Sequence, residues 1–111
     1  MQNVVFLIGR LVSDPELKKS ESTKDYATIT VAVQRPFKNS EGIYESDFIR
    51  CNLWAGIANN VQTYCKKGDL VGIKGRVQVR SYLDNEETKY ITEIIVDKVS
   101  FLSSKRQEEA E

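Results

Sequence analysis

SDFIRCNLWAGIANNVQTYCKKGDLVGIKGRVQVRSY, residues 46–82, changes its period twice, and those changes decide the fold. Up to Trp54 it alternates. Ile49, Cys51 and Leu53 make an apolar face, while Phe48, Arg50, Asn52 and Trp54 make the other, as successive side chains of a strand must. From Ile57 the spacing turns helical. Ile57, Val61, Tyr64 and Cys65 share one face, Tyr64 is expected to pack the helix onto the rest of the chain, and Lys66-Lys67-Gly68 mark its end. From Leu70 the alternation returns: Val77, Val79 and Ser81 take one face and Arg76, Gln78, Arg80 and Tyr82 the other, with Gly72 and Gly75 inside the strand as points of curvature. A strand, one helix and a strand therefore sit in the middle of the chain.

Working outward, residues 4–11 (VVFLIGRL) read as a strand interrupted by Gly9, and Asp14-Pro15 close it. Residues 16–25 are a polar loop with room for a short strand extension. Residues 26–35 (YATITVAVQR) are a second strand, with Ile29, Val31 and Val33 opposite Thr28, Thr30, Ala32 and Gln34. Residues 36–46, punctuated by Pro and Gly, read as a connection. Residues 83–88 are a hairpin loop turning at Asp84-Asn85, and residues 89–102 form a last strand with apolar residues on both faces. The order is strand, strand, strand, helix, strand, strand. A doubly wound sheet needs repeated helical crossovers and is excluded. Strand glycines suit a coiled sheet that closes on itself. The expected fold is all-β: a five-stranded Greek-key barrel of the oligonucleotide-binding type, with its helix between the third and fourth strands. Residues 1–103 form this one domain, and residues 104–111 form a short polar tail expected to be disordered.

The chain has 111 residues and a formal net charge of zero. That neutrality conceals an uneven distribution. Between Arg50 and Tyr82 the cations are Arg50, Lys66, Lys67, Lys74, Arg76 and Arg80, and the only acid is Asp69, six against one or +5. Cys51 and Cys65 lack metal-ligand spacing and read as small buried hydrophobes in a reducing compartment. The N-terminus has no basic start, and its apolar run is too short for a signal peptide or a membrane span, so the expected location is the cytoplasm.

Catalysis finds little support. There is no histidine, no carboxylate pair stands out, the glycines do not form a phosphate-gripping loop ahead of a helix, and no residues have zinc spacing. No enzyme, cofactor or metal is expected. Single-strand binding fits better, because it needs flat rings for bases to stack on and cations along the path of the backbone. Phe48, Arg50 and Trp54 on one strand and Arg76, Arg80 and Tyr82 on another place both on one face. Phe37, in the loop after the second strand, is a further platform. The same residues suit a protein interface, where aromatics and arginine concentrate. The first strand carries surplus apolar residues on both faces, Val4, Phe6 and Ile8 against Val5 and Leu7. A small barrel cannot cover both, so an oligomer is expected.

The segments NVVFLIGRLVSDPEL, ATITVAVQR, SDFIRCNLW, NNVQTYCKKGDLVGIKGRVQVRSY and YITEIIVDKVSFL, in this order and spacing, closely resemble the bacterial-type single-stranded DNA-binding proteins. The resemblance covers residues 1–102. It implies an oligonucleotide-binding barrel, usually a homotetramer, that binds single-stranded DNA irrespective of sequence in replication, recombination and repair, in the cytoplasm with the nucleoid. It maps the stacking aromatics onto Phe37, Phe48, Trp54 and Tyr82, and the backbone contacts onto Arg10, Arg35, Arg50, Lys67, Lys74, Arg76 and Arg80. The departure is at the end. Family members continue into a linker and an acidic, hydrophobic-tipped tail that recruits partner enzymes, whereas this chain stops at QEEAE. Either the sequence is cut short of that tail, or the chain is similar to the short forms that protect incoming DNA in naturally transformable Gram-positive bacteria; the missing tip puts enzyme recruitment in doubt. The other readings of the same residues are an RNA-binding or primosome-type barrel and a protein-interaction module.

Overall fold

The structure is a computed structural model and describes residues 1–104; the polar tail expected beyond lies outside the described residues. The elements are β1 (Val5–Leu11), the two-residue β2 (Lys18–Lys19), β3 (Asp25–Lys38), β4 (Tyr44–Trp54), α1 (Ala55–Tyr64), β5 (Leu70–Asp84) and β6 (Glu87–Ser103). The five long strands run in the order β1-β5-β6-β4-β3, and β1 reaches β3 again at Arg10 and Leu11, which closes the ring. Every pairing is antiparallel except β4 with β6. This is the expected oligonucleotide-binding barrel, with α1 between the third and fourth long strands.

Alternation fills the interior. Ile29 and Val31 of β3, Cys51 and Leu53 of β4, Val71 and Ile73 of β5, and Ile94 and Val96 of β6 are buried together. Ala58 and Val61 carry α1 onto that core. Tyr64, expected to do so, is instead 72% exposed. The small Ala58 and branched Val61 let the helix lie close, and the larger ring is left outside. Cys51 and Cys65 are free and buried, and burial pushes the Cys51 thiol up to about 11.

Two glycines make closure possible. A Cβ on Gly9 would stand 2.5 Å from the carbonyl oxygen of Ala32, where β1 passes from β5 to β3. A Cβ on Gly75 would collide with the Ile95 carbonyl, at the point where the β5–β6 register shifts. Only glycine lets the backbones approach so closely. Gly72 has no such contact.

The boundaries differ from expectation at both hairpins. β3 continues through Pro36 and Phe37 to Lys38, so Phe37 belongs to a strand, and the connection shrinks to residues 39–43. Asn39 organises that turn: its Oδ1 accepts the backbone N–H groups of Glu41 and Ile43, and Gly42 takes a φ of 79°. Pro36 falls within the register irregularity between Gln34 and Lys38, where a missing N–H costs the ladder nothing. The second hairpin turns at Asn85-Glu86 rather than Asp84-Asn85. Asp84 and Glu87 still pair, and the two residues between them have φ of 51° and 68°, the left-handed pair that a two-residue turn demands. The helix begins at Ala55, earlier than its apolar period suggests, and ends at Tyr64. Cys65 is already extended but still donates its N–H to the Val61 carbonyl.

Candidate nucleic-acid interface

The strand 46–54 behaves as its alternation requires. Cys51 and Leu53 point into the barrel, and Phe48, Arg50, Asn52 and Trp54 lie on its outer face. Trp54 is 43% exposed and Phe48 69%. Trp54 is also the last residue before α1. The next residue, Ala55, holds a φ of 51°, a left-handed conformation that costs an alanine about 1 kcal/mol. That turn bends the chain into the helix immediately after Trp54 and leaves the indole at the strand's open end. Tyr26, directly opposite on β3, packs against it with ring centroids 5.3 Å apart and planes 33° from parallel.

Below these rings runs an open groove of about 480 Å³ whose walls include Tyr26, Arg50, Asn52, Trp54, Arg80 and Glu93. Trp54 also lines a second open cleft of about 490 Å³ between Asp25, Gly56 and Asn59. Asp25 is held by Lys19 across the β2–β3 pairing and by Asn59, and both keep its carboxyl below the usual range.

The groove floor is polar. Glu93, 8% exposed, accepts Arg80 Nε at 2.8 Å and Asn52 Nδ2 at 2.5 Å, and Asn52 Oδ1 accepts the Thr28 hydroxyl at 3.2 Å. The sequence shows no carboxylate pair, and Glu93 is not among the residues it singles out.

The eleven residues named from sequence divide. Arg50, Trp54 and Arg80 line one groove. Phe48 extends the same face of β4. Tyr82 and Arg76 extend the Arg80 face of β5, with Arg76 Nη1 donating to Gln78 Oε1 at 2.7 Å. Phe37 stands exposed near the end of the long β3–β4 hairpin, where Lys38 lies over the Tyr44 ring at 5.6 Å. The others are not brought to the groove. Arg35 emerges on the opposite face of the hairpin from Phe48, bound to Asp47 at 2.8 Å and Glu45 at 3.1 Å. The Arg35 guanidinium holds the Asp47 carboxyl below its usual value, and its own pKa rises in return. Arg10 donates to the Gly68 carbonyl. Lys67 lies in the loop after α1, its backbone N–H bonded to Asp14. Lys74 sits over the ring of Phe6, 5.9 Å from its centroid, beside an apolar cleft on β1.

Residues 2–102 match the single-strand binding protein family. The chain belongs to that family. It is 46% identical over 112 residues to single-stranded DNA-binding protein B of Bacillus subtilis, a match covering 99% of this chain and 98% of that one. It is 49% identical over 107 residues to single-stranded DNA-binding protein 3 of Listeria innocua (96% and 67%) and 47% identical over 103 residues to single-stranded DNA-binding protein of Halalkalibacterium halodurans (92% and 61%). The chain thus spans nearly all of the first relative and about two-thirds or less of the other two.

Within this family member, the groove contains residues that sequence reasoning left aside. Tyr26 has the same strand parity as Thr28, and that parity was the available signal for it. Asn52 shares its parity with Trp54. Nothing in the local sequence marks Glu93 as Arg80's counter-charge, because β5 and β6 bring them together. Among the described residues, no group of three or more His, Cys, Asp or Glu could hold a metal ion, and no helix is long and apolar enough to cross a membrane.

Proposed function

We propose that this chain binds single-stranded DNA irrespective of sequence and protects it during replication, recombination, repair or DNA uptake, in the cytoplasm and in association with the nucleoid. The observation that carries this reading is the outer face of β4. Arg50 lies between two exposed rings, Phe48 and Trp54, and makes no ion pair among the described residues. A stacking surface needs rings with free faces and a cation that has not already been neutralised, and each stacked base contributes roughly 1–3 kcal/mol. The bases stack on Trp54, Phe48, Tyr82 and Phe37, and the phosphates follow Arg50, Arg76 and Arg80. The names of the relatives, all single-stranded DNA-binding proteins, support the ligand.

Residues 1–103 serve as both binding and assembly unit, and the assembly is a homotetramer. What supports a second copy is β1. Val4, Phe6 and Ile8 are exposed there, and β1 pairs with β3 only at Arg10 and Leu11, so its first half has a free backbone edge. An exposed apolar edge strand is a surface that another strand covers.

Titration with oligo-dT tests the reading, because Trp54 is the only tryptophan. Its fluorescence is quenched as DNA saturates the protein, and the effect weakens with salt. Unchanged emission at saturating DNA removes Trp54 from the site. An RNA oligomer competing as well as DNA redirects the reading to an RNA-binding barrel.

A further inference from the structure

The groove carries a feature that phosphate binding does not call for. A carboxylate lies buried in its floor, where DNA would bring more negative charge. Glu93 is reached from both sides: Arg80 Nε at 2.8 Å and Asn52 Nδ2 at 2.5 Å use its two oxygens, and Asn52 passes the connection to Thr28. Arg80, Glu93, Asn52 and Thr28 come from β5, β6, β4 and β3, which is the order of those strands in the sheet. One hydrogen-bonded row therefore crosses the whole floor. A buried carboxylate is costly unless paired, and here the pairing uses the Nε of an arginine whose side chain is half exposed. The terminal Nη groups take no part in that bond, and Arg80 is one of the residues that line the groove.

We infer that Glu93 is a positioning residue of the DNA interface, which holds Arg80 as an oriented hydrogen-bond donor while cancelling its net charge. This rests on the proposed single-strand binding. Its consequence is specific. Each phosphate neutralised by a free cation adds about 0.7 to the slope of log affinity against log salt on single strands. Arg50 has no carboxylate to cancel it and contributes that increment. Arg80, paired with Glu93, contributes contacts and geometry but little to the slope. All four of the row's members are neutral or mutually neutralising at the floor, so the salt dependence of binding arises at the groove's rim.

The experiment is a set of oligo-dT titrations between about 50 and 200 mM salt, followed by Trp54 fluorescence, on the wild type, E93Q and R80Q/E93Q. Glutamine keeps the shape of Glu93 and can still accept from Arg80 Nε, with the Asn52 amide turned over to match. In E93Q the slope steepens by about 0.7, because Arg80 then acts as a full cation. In R80Q/E93Q it returns to the wild-type value. A wild-type slope in E93Q overturns the inference, and so does an E93Q slope that persists in the double variant. Thermal melts establish that each variant is folded. Should E93Q fail to fold, the neutral double replacement decides alone: a slope equal to wild type supports the inference, and one shallower by about 0.7 overturns it. Failure of DNA binding in the wild type is a different result, and it strikes the proposed function instead.

Discussion

Phe48 and Phe6 are almost equally bare, 69% and 73% exposed, yet they stand on faces of different character. Phe48 shares its strand face with a free arginine, Arg50, and beyond it with Asn52 and Trp54 of the groove, whose floor holds the Glu93 carboxylate. Around Phe6 are Ile8, Leu102 and the β1 edge, with Lys74 resting over the ring. Exposure alone therefore assigns neither. What separates a surface for bases from a surface for another chain is the interleaving of rings with polar groups. A base needs hydrogen-bonding groups and a free cation alternating with its platforms, whereas the β1 face is a continuous apolar row of Val4, Phe6 and Ile8 with its cation, Lys74, drawn onto the Phe6 ring.

The comparison can be broken most forcefully on the β1 side. Phe6→Asp with Ile8→Asp should dissociate the assembly. Phe6 faces Lys74 but Ile8 pairs with Gly72, so the carboxylate at position 8 is the one buried without a paired counter-charge, which costs about 3–5 kcal/mol. Light scattering should report the monomer while oligo-dT still quenches Trp54; an unchanged mass would show that this face holds no second copy. On the other side, Trp54→Ala should weaken DNA binding by about 1–3 kcal/mol, roughly 5- to 150-fold, with the mass unaltered. A drop in mass would move Trp54 to a protein interface.

The cations sharpen the same contrast more gently. Arg50→Gln should lower the salt slope by about 0.7, whereas Lys74→Gln should leave it as it is, because Lys74 attends Phe6 rather than the groove. Equal slopes for the two variants would erase the distinction between the faces. The smallest effect belongs to the Arg35–Asp47 pair on the far side of the β3–β4 hairpin. Arg35 lowers the folded pKa of Asp47, so the pair's contribution is present above the unfolded carboxyl value, about 3.9, and is lost as pH falls through the lower folded value. Urea midpoints of the wild type and Asp47→Asn should therefore differ by a small constant amount from pH 7 to about 5 and converge only in strong acid. The pair is exposed, which keeps this effect slight.

Much of this was legible from residues alone. The two changes of period in 46–82 located the helix between two strands, and the parity of Phe48, Arg50 and Trp54 put them on one outer face, because alternation is a local property of extended chain. Parity also separated Phe6 and Ile8 from Val5 and Leu7. Less accessible were the ends of elements. Pro36 and Asn39 read as a loop, yet the strand passes through the first and turns at the second, since a bulge accommodates the missing N–H and the Asn39 side chain supplies the turn's hydrogen bonds. Tyr64 had the right helical spacing to be buried and is not, since spacing selects a helix face without measuring the room beneath it.

By itself, then, the sequence determined the barrel's order of elements and the faces on which its aromatics stand, because both follow from periods of a few residues. Only the tertiary structure decided which cations remain free. Arg35, Arg50 and Arg80 look alike along the chain. Arg35 meets Asp47 and Glu45 across a hairpin, Arg80 meets Glu93 across another, and Arg50 meets no carboxylate among the described residues. Charge is cancelled by neighbours in space, over a few ångströms, and strand pairing sets those neighbours.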